Sequence, residues 1–175
     1  MRRPQPGRLD QAREWGWRVH SAQEAWTAKV DVKASILLAL EGAILVAIVA
    51  ATASDGPFAS LHGWREVFVL MGALSEVLAI ASAGSVVLPL LGSPTSHARD
   101  HRDNLIYFGH LRHWSNSDDL AARMIRMSPN EEVGHLARQL IRMSTRNWIK
   151  HRFLQVSVVT GFCGVLLVVS AAVWP

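Results

Sequence analysis

Three long stretches of the chain are almost free of charge, and charged residues are dense between them. The last stretch, Phe153 to Trp174, reads FLQVSVVTGFCGVLLVVSAAVW, 22 residues without a charge. As an α-helix it covers roughly 33 Å, enough for a hydrocarbon core of ~30 Å. Arg146, Lys150 and Arg152 stand just before it as a basic collar, and Trp174 suits the opposite interface. Ala34 to Ala53 and Val67 to Leu91 are two further spans, each interrupted by one acid, Glu41 and Glu76. Ser54 to Arg65 between them, with Gly56, Pro57 and Gly63, reads as a short turn.

Elsewhere the apolar positions follow a helical period. After a Pro-rich start (Arg2 to Gly7), Leu9, Ala12, Trp15, Val19, Ala22, Trp26 and Val30 recur at steps of three and four. This predicts an amphipathic helix packed on its own neighbours, because its polar faces carry both signs of charge rather than a cationic membrane-binding face. Nothing between Lys29 and Ala34 breaks it, so it is expected to run straight into the first span. After the second span, Ser93 to Asn104 reads as polar loop and Asn104 to Trp114 as an apolar-aromatic block too short to cross a bilayer. Ser115 or Ser117 is expected to cap a helix over about Asp118 to Met127. Ser128-Pro129-Asn130-Glu131 signals a new helix, whose spacing (Val133, Leu136, Leu140, Met143, Asn147 or Trp148, His151, Leu154) continues into the third span.

The resulting fold class is an all-α membrane protein with three transmembrane helices and a cytoplasmic helical bundle. Its expected parts are a cytoplasmic amphipathic helix (1–33), spans at 34–53, 67–91 and 153–174, an external turn (54–66) and a cytoplasmic sensor segment (92–152). Lys and Arg set the orientation: seven lie in residues 1–33, ten in 92–152 and one, Arg65, in 54–66. The positive-inside rule then predicts a multi-pass cell-membrane protein with its N-terminus and the 92–152 segment in the cytoplasm. A sequence pI near 10.0 is thus explained by topology, and a nucleic acid partner is not required. Cys163, the one cysteine, lies within the third span, which excludes a disulfide framework or a cysteine metal site inside one chain. More than 30 largely polar residues precede the first apolar run, so no secretory signal is expected.

A carboxyl group at membrane depth costs a few kcal/mol, which makes Glu41 and Glu76 candidates for function. Counted along their spans they lie ~10 and ~22 Å from the cytoplasmic side, too far apart to share a proton. Ala39, Ala43, Ala47 and Ala51 form a small-residue ladder on the first span, as do Ser75, Ala79 and Ala83 on the second. Glu41 falls on the opposite, leucine-rich face, which is expected either to meet another subunit of a homo-oligomer or a water-filled path, or to let a protonated Glu41 hydrogen-bond to a neighbouring helix. Gly161 and Gly164 read as a packing feature.

In the sensor segment Arg138, Arg142 and Arg146 lie at i, i+4, i+8, with Lys150 extending the row. Such a row either presents guanidinium forks to a phosphate or is the ordinary solvated face of a membrane-proximal helix, and Tyr107 and Phe108, beside His110 and Arg112, place two aromatic rings in the same segment. His97, His101, His110 and His113 have zinc-compatible spacings, yet no cysteine or well-placed acid completes a set, so no metal is expected. No Gly-rich phosphate loop, Ser/His/Asp set or HExxH occurs. No catalytic residue and no resident cofactor are therefore expected, and the chain is read as a non-enzyme.

Two blocks, VDVKASILLALEGAIL (Val30 to Leu45) and NLIYFGHL (Asn104 to Leu111), together with the basic helix Leu136 to Arg152, carry a family resemblance. The chain resembles the small membrane effectors of Pycsar, the bacterial antiphage systems triggered by cyclic pyrimidine nucleotides. The matching motifs are Asp31, Lys33 and Ala34 at the entry to the first span, and Phe108, Gly109 and His110 in the loop. The resemblance implies that a partner pyrimidine cyclase makes cCMP or cUMP on infection. The effector then impairs the inner membrane, arresting or killing the cell. A membrane adaptor or transporter subunit, or a ligand-independent holin-like protein, are the other readings of the same pattern.

Overall fold

The computed structural model describes residues 6–89 and 91–174. The start of the Pro-rich segment (2–5) and Leu90, near the expected end of the second span, lie outside the described residues. Among the described residues six α-helices follow one another: α1 (Pro6–Thr52), α2 (Trp64–Val87), α3 (Pro94–Arg99), α4 (Phe108–Leu111), α5 (Ser117–Ile125) and α6 (Pro129–Val173), with a 3-10 turn at His101–Asp103. The described residues contain no strand. Three helices, α1, α2 and α6, are long and apolar enough to cross a membrane. The chain is an all-α membrane protein. It divides into a polar unit, which runs to Thr27 and resumes over Pro89–Asn147, and an apolar unit of Ala28–Leu88 with the chain from Trp148 onward.

In the polar unit α1 and α6 run parallel, since partners advance together along both. Arg13 pairs with Glu132 at 2.7 Å, Gln23 Nε2 donates to Ser144 Oγ at 3.0 Å, and Thr27 bonds Asn147. Gly16 marks the closest approach: a Cβ there would lie 2.2 Å from the side chain of buried Leu136, which would have to move. The packed face of α1 is therefore Gly16, His20, Gln23 and Thr27, offset from the apolar stripe that the sequence suggests. Trp15 and Trp26, members of that stripe, are 67% and 55% exposed. Close helix approach and a polar seam decide the contact, and bulky tryptophans are pushed outward.

Short elements of this unit have local causes. The expected loop Ser93–Asn104 is instead helical over α3, with Pro94 in its first turn, where a missing N–H costs nothing. Asn116, between the two serines expected as caps, takes the N-cap of α5 and accepts from the Asp118 amide at 2.8 Å. At α6 Ser128 and Glu131 form a reciprocal capping box: each side chain accepts from the other's amide, at 3.3 and 2.8 Å. Those bonds, with Arg123 nearby, hold the Glu131 carboxyl below its ordinary range.

In the apolar unit α2 runs antiparallel to α1 and α6. Val86 packs with Val30, Ala34 and Leu154 at one end, and Val69 with Ile48 and Ala171 at the other. Gly72 and Gly164 set the α2–α6 crossing: a Cβ on Gly72 would come 2.9 Å from the Gly164 carbonyl oxygen. Large apolar side chains face outward instead, among them Ile36, Val46, Leu70, Leu74, Val159 and Phe162, all more than half exposed. Small and polar groups inside with aliphatic groups outside is the arrangement lipid demands.

Candidate functional site

An anion site needs cationic groups that lack a carboxylate partner, and the polar unit gathers three. His110 is 1% exposed and sits where α4 meets α6. Arg142 Nη1 lies 3.0 Å from His110 Nε2, and His110 Nδ1 lies 3.3 Å from the His97 carbonyl. A guanidinium has only donors, so Nε2 must accept and Nδ1 must carry the proton. His110 is thereby fixed as a neutral imidazole, and burial pushes its pKa down in agreement. Arg146 lies over the Tyr107 ring, 5.1 Å from its centroid. His97 packs edge-on against both Tyr107 (5.4 Å) and His110 (4.7 Å). Burial first, then the charges of Arg112, Arg146 and Arg142, hold His97 below the ordinary histidine value.

Two glycines make room for this cluster. A Cβ on Gly109 would lie 2.4 Å from the Tyr107 ring and 3.1 Å from His97 Nδ1. Gly92, at φ 78°, would bring a Cβ 3.0 Å from His97 Nε2 and 3.5 Å from Arg146. Among the described residues Arg112, Arg142 and Arg146 form no ion pair with a carboxylate. Asp100 feels Arg142 and His110, but its own bond is to Arg99, 2.9 Å away.

The remaining sequence candidates distribute as follows. Arg138 donates to the Asp103 carbonyl at 3.1 Å, away from the cluster. Lys150 leaves the arginine row altogether: it pairs with Asp31 at 2.5 Å inside the apolar unit, where an acid at the span entry captures it. Tyr107 has Arg146 over its ring, whereas Phe108 is 62% exposed, its ring 4.6 Å from that of Tyr107. Arg112 is exposed and donates to His113 at 3.4 Å. Of the motif residues, Ala34 is fully buried, Lys33 is exposed and Gly109 is buried. His97 is the residue that sequence reasoning missed. The sequence shows it only as one of four histidines with no metal role, and in the structure the ring contacts pair His97 with His110 and His101 with His113. The described residues hold no group of three His, Cys, Asp or Glu suited to a metal.

Glu41 is 3% exposed and accepts from Ser157 Oγ at 2.8 Å, so of the readings the sequence left open the structure shows the hydrogen bond to a neighbouring helix of the same chain. The leucine-rich face of α1 is the packed one, and the ladder residues Ala39, Ala43 and Ala47 face outward. Bulky aliphatic groups on α1 fit against small residues of α6, which makes that face the better contact. The two acids are not separated in depth. A Cβ on Gly161 would lie 3.2 Å from Glu41 Oε1, and one on Gly164 2.7 Å from Glu76 Oε1, so one turn of α6 meets both. Val86, rather than Leu91, is level with Ala34, which removes the offset counted along the spans.

No curated protein and no solved structure matches the chain. The family model described as PycTM, Pycsar effector protein domain, matches residues 16–175, so the chain belongs to the Pycsar effectors and serves antiviral defence.

Proposed function

We propose that this effector senses a cyclic pyrimidine nucleotide, cCMP or cUMP, made by a partner cyclase, and responds by impairing the inner membrane. The observation that carries the reading is the trio Arg112, Arg142 and Arg146 around neutral His97, His110 and Tyr107. Uncompensated guanidiniums repel one another, and a phosphodiester accepting from Arg142 and Arg146 relieves that repulsion. Phe108 offers its exposed ring to the pyrimidine. The chain performs no chemistry of its own in this scheme. α1 and α6 are each helical throughout and contribute residues to both units, so repacking the polar unit bears on helices that cross the membrane. Its N-terminus is cytoplasmic, and several copies act together.

Titration of the purified full-length protein with cCMP, cUMP, cAMP and cGMP tests the sensor. A cyclic pyrimidine binds, and Arg142→Glu weakens it at least tenfold, the scale of a lost charge-assisted bond of about 1.5–3 kcal/mol. Unchanged affinity for every cyclic nucleotide in Arg142→Glu rules out this site.

A further inference from the structure

Among the described residues the apolar unit holds two buried acids and no buried base. Glu76 is fully buried and Glu41 3% exposed. Ser157 Oγ–H satisfies Glu41 Oε1 at 2.8 Å, but Glu41 Oε2 and both oxygens of Glu76 have no hydrogen-bond partner among the described residues. Neighbouring hydroxyls are already engaged elsewhere: Ser75 donates to the Thr160 carbonyl at 2.7 Å and Thr160 to the Val156 carbonyl at 2.8 Å. The packed elements supply no cation. Residues 34–52 of α1 and 153–173 of α6 contain no Lys, Arg or His, and the one basic residue of α2 is Arg65, in its first turn. Arg65 bonds the Ala171 carbonyl at 2.8 Å, at the far end of the unit. Three unpartnered oxygens on one turn of α6 thus lack both donor and counter-charge. In an apolar interior two bare carboxylates are not sustainable, whereas a protonated carboxyl supplies the missing donor.

We propose that Glu41, Glu76 and Ser157 form an intramembrane proton-binding site, and that bound protons keep α1, α2 and α6 packed. Gly161 and Gly164 are the room α6 leaves for it, since any larger residue there would displace a carboxyl oxygen. The site is independent of nucleotide sensing and stands whether or not that reading holds.

Dicyclohexylcarbodiimide, a membrane-soluble reagent that modifies only protonated carboxyls, tests it on the full-length protein in lipid vesicles. Peptide mass mapping is expected to find Glu41 or Glu76 modified at neutral pH, with modification lost on alkalinisation and unaffected by replacing choline chloride with sodium chloride. Glu41→Gln and Glu76→Gln keep shape and hydrogen bonding. Each is expected to move the pH at which the remaining acid loses its label by at least about one unit, the mark of coupled sites. No labelling at neutral pH overturns the proposal. So does protection by sodium, which assigns the site to a metal cation, and so do unshifted profiles in the Gln variants, which show two separate acids.

Discussion

His110 accepts from Arg142 only while its imidazole is neutral, and this makes the cluster pH-sensitive. Burial lowers the pKa of both His97 and His110, with nearby arginines acting in the same direction. The unfolded chain therefore binds more protons than the folded one as pH falls through the ordinary histidine value of about 6.5. The stabilisation is fully present above that value and is lost below it. Protonated His110 is a donor at both nitrogens and faces a guanidinium, so its contact with Arg142 turns repulsive. The thermal midpoint of the purified protein is expected to fall between neutral pH and about pH 5.5, and the fall to shrink in His110→Gln. Equal pH profiles for parent and variant contradict the tautomer assigned to His110.

At the scale of elements, glycine positions separate contacts from open surface. A Cβ on Gly72 would lie 2.6 Å from Val168 and 2.9 Å from a backbone oxygen of α6, whereas one on Gly84 meets nothing within 4 Å. Gly72→Ala is expected to cost about 1–3 kcal/mol as an overpacked crossing, and Gly84→Ala to be neutral or slightly stabilising. Thermal unfolding in detergent reads both, and a neutral Gly72→Ala would mean that α2 and α6 do not cross there. The helices themselves were legible from the sequence, because uncharged runs and helical spacing are local properties. Which face of a helix packs was not. On α1 the stripe Leu9 to Val30 is a real periodicity, but Gly16 against Leu136 draws the contact to the adjacent face. The same reversal hides Glu41, since ladders of alanine suggest close approach and here Ile48 and Ala34 are the buried positions. Of the site, the Arg142–Arg146 pair and the Tyr107–His110 block could be read from spacing. His97 and Gly92 could not, because their roles depend on how the chain returns after α2.

For the whole molecule, the distribution of Lys and Arg, the three aliphatic-faced helices and the family match describe a membrane effector with an arginine-rich segment between its second and third spans. Three helices about 10 Å across close-pack without a lumen, so permeabilisation by this chain requires several copies. The most direct test of the central claim is efflux from vesicles reconstituted with the purified protein, followed with a trapped fluorescent dye and a potential-sensitive dye. Added cCMP or cUMP is expected to trigger loss of potential or contents, cAMP and cGMP to leave the vesicles intact, and Arg142→Glu to abolish the response while inserting normally. Efflux that begins without any nucleotide, or vesicles that stay sealed in all four, would contradict it.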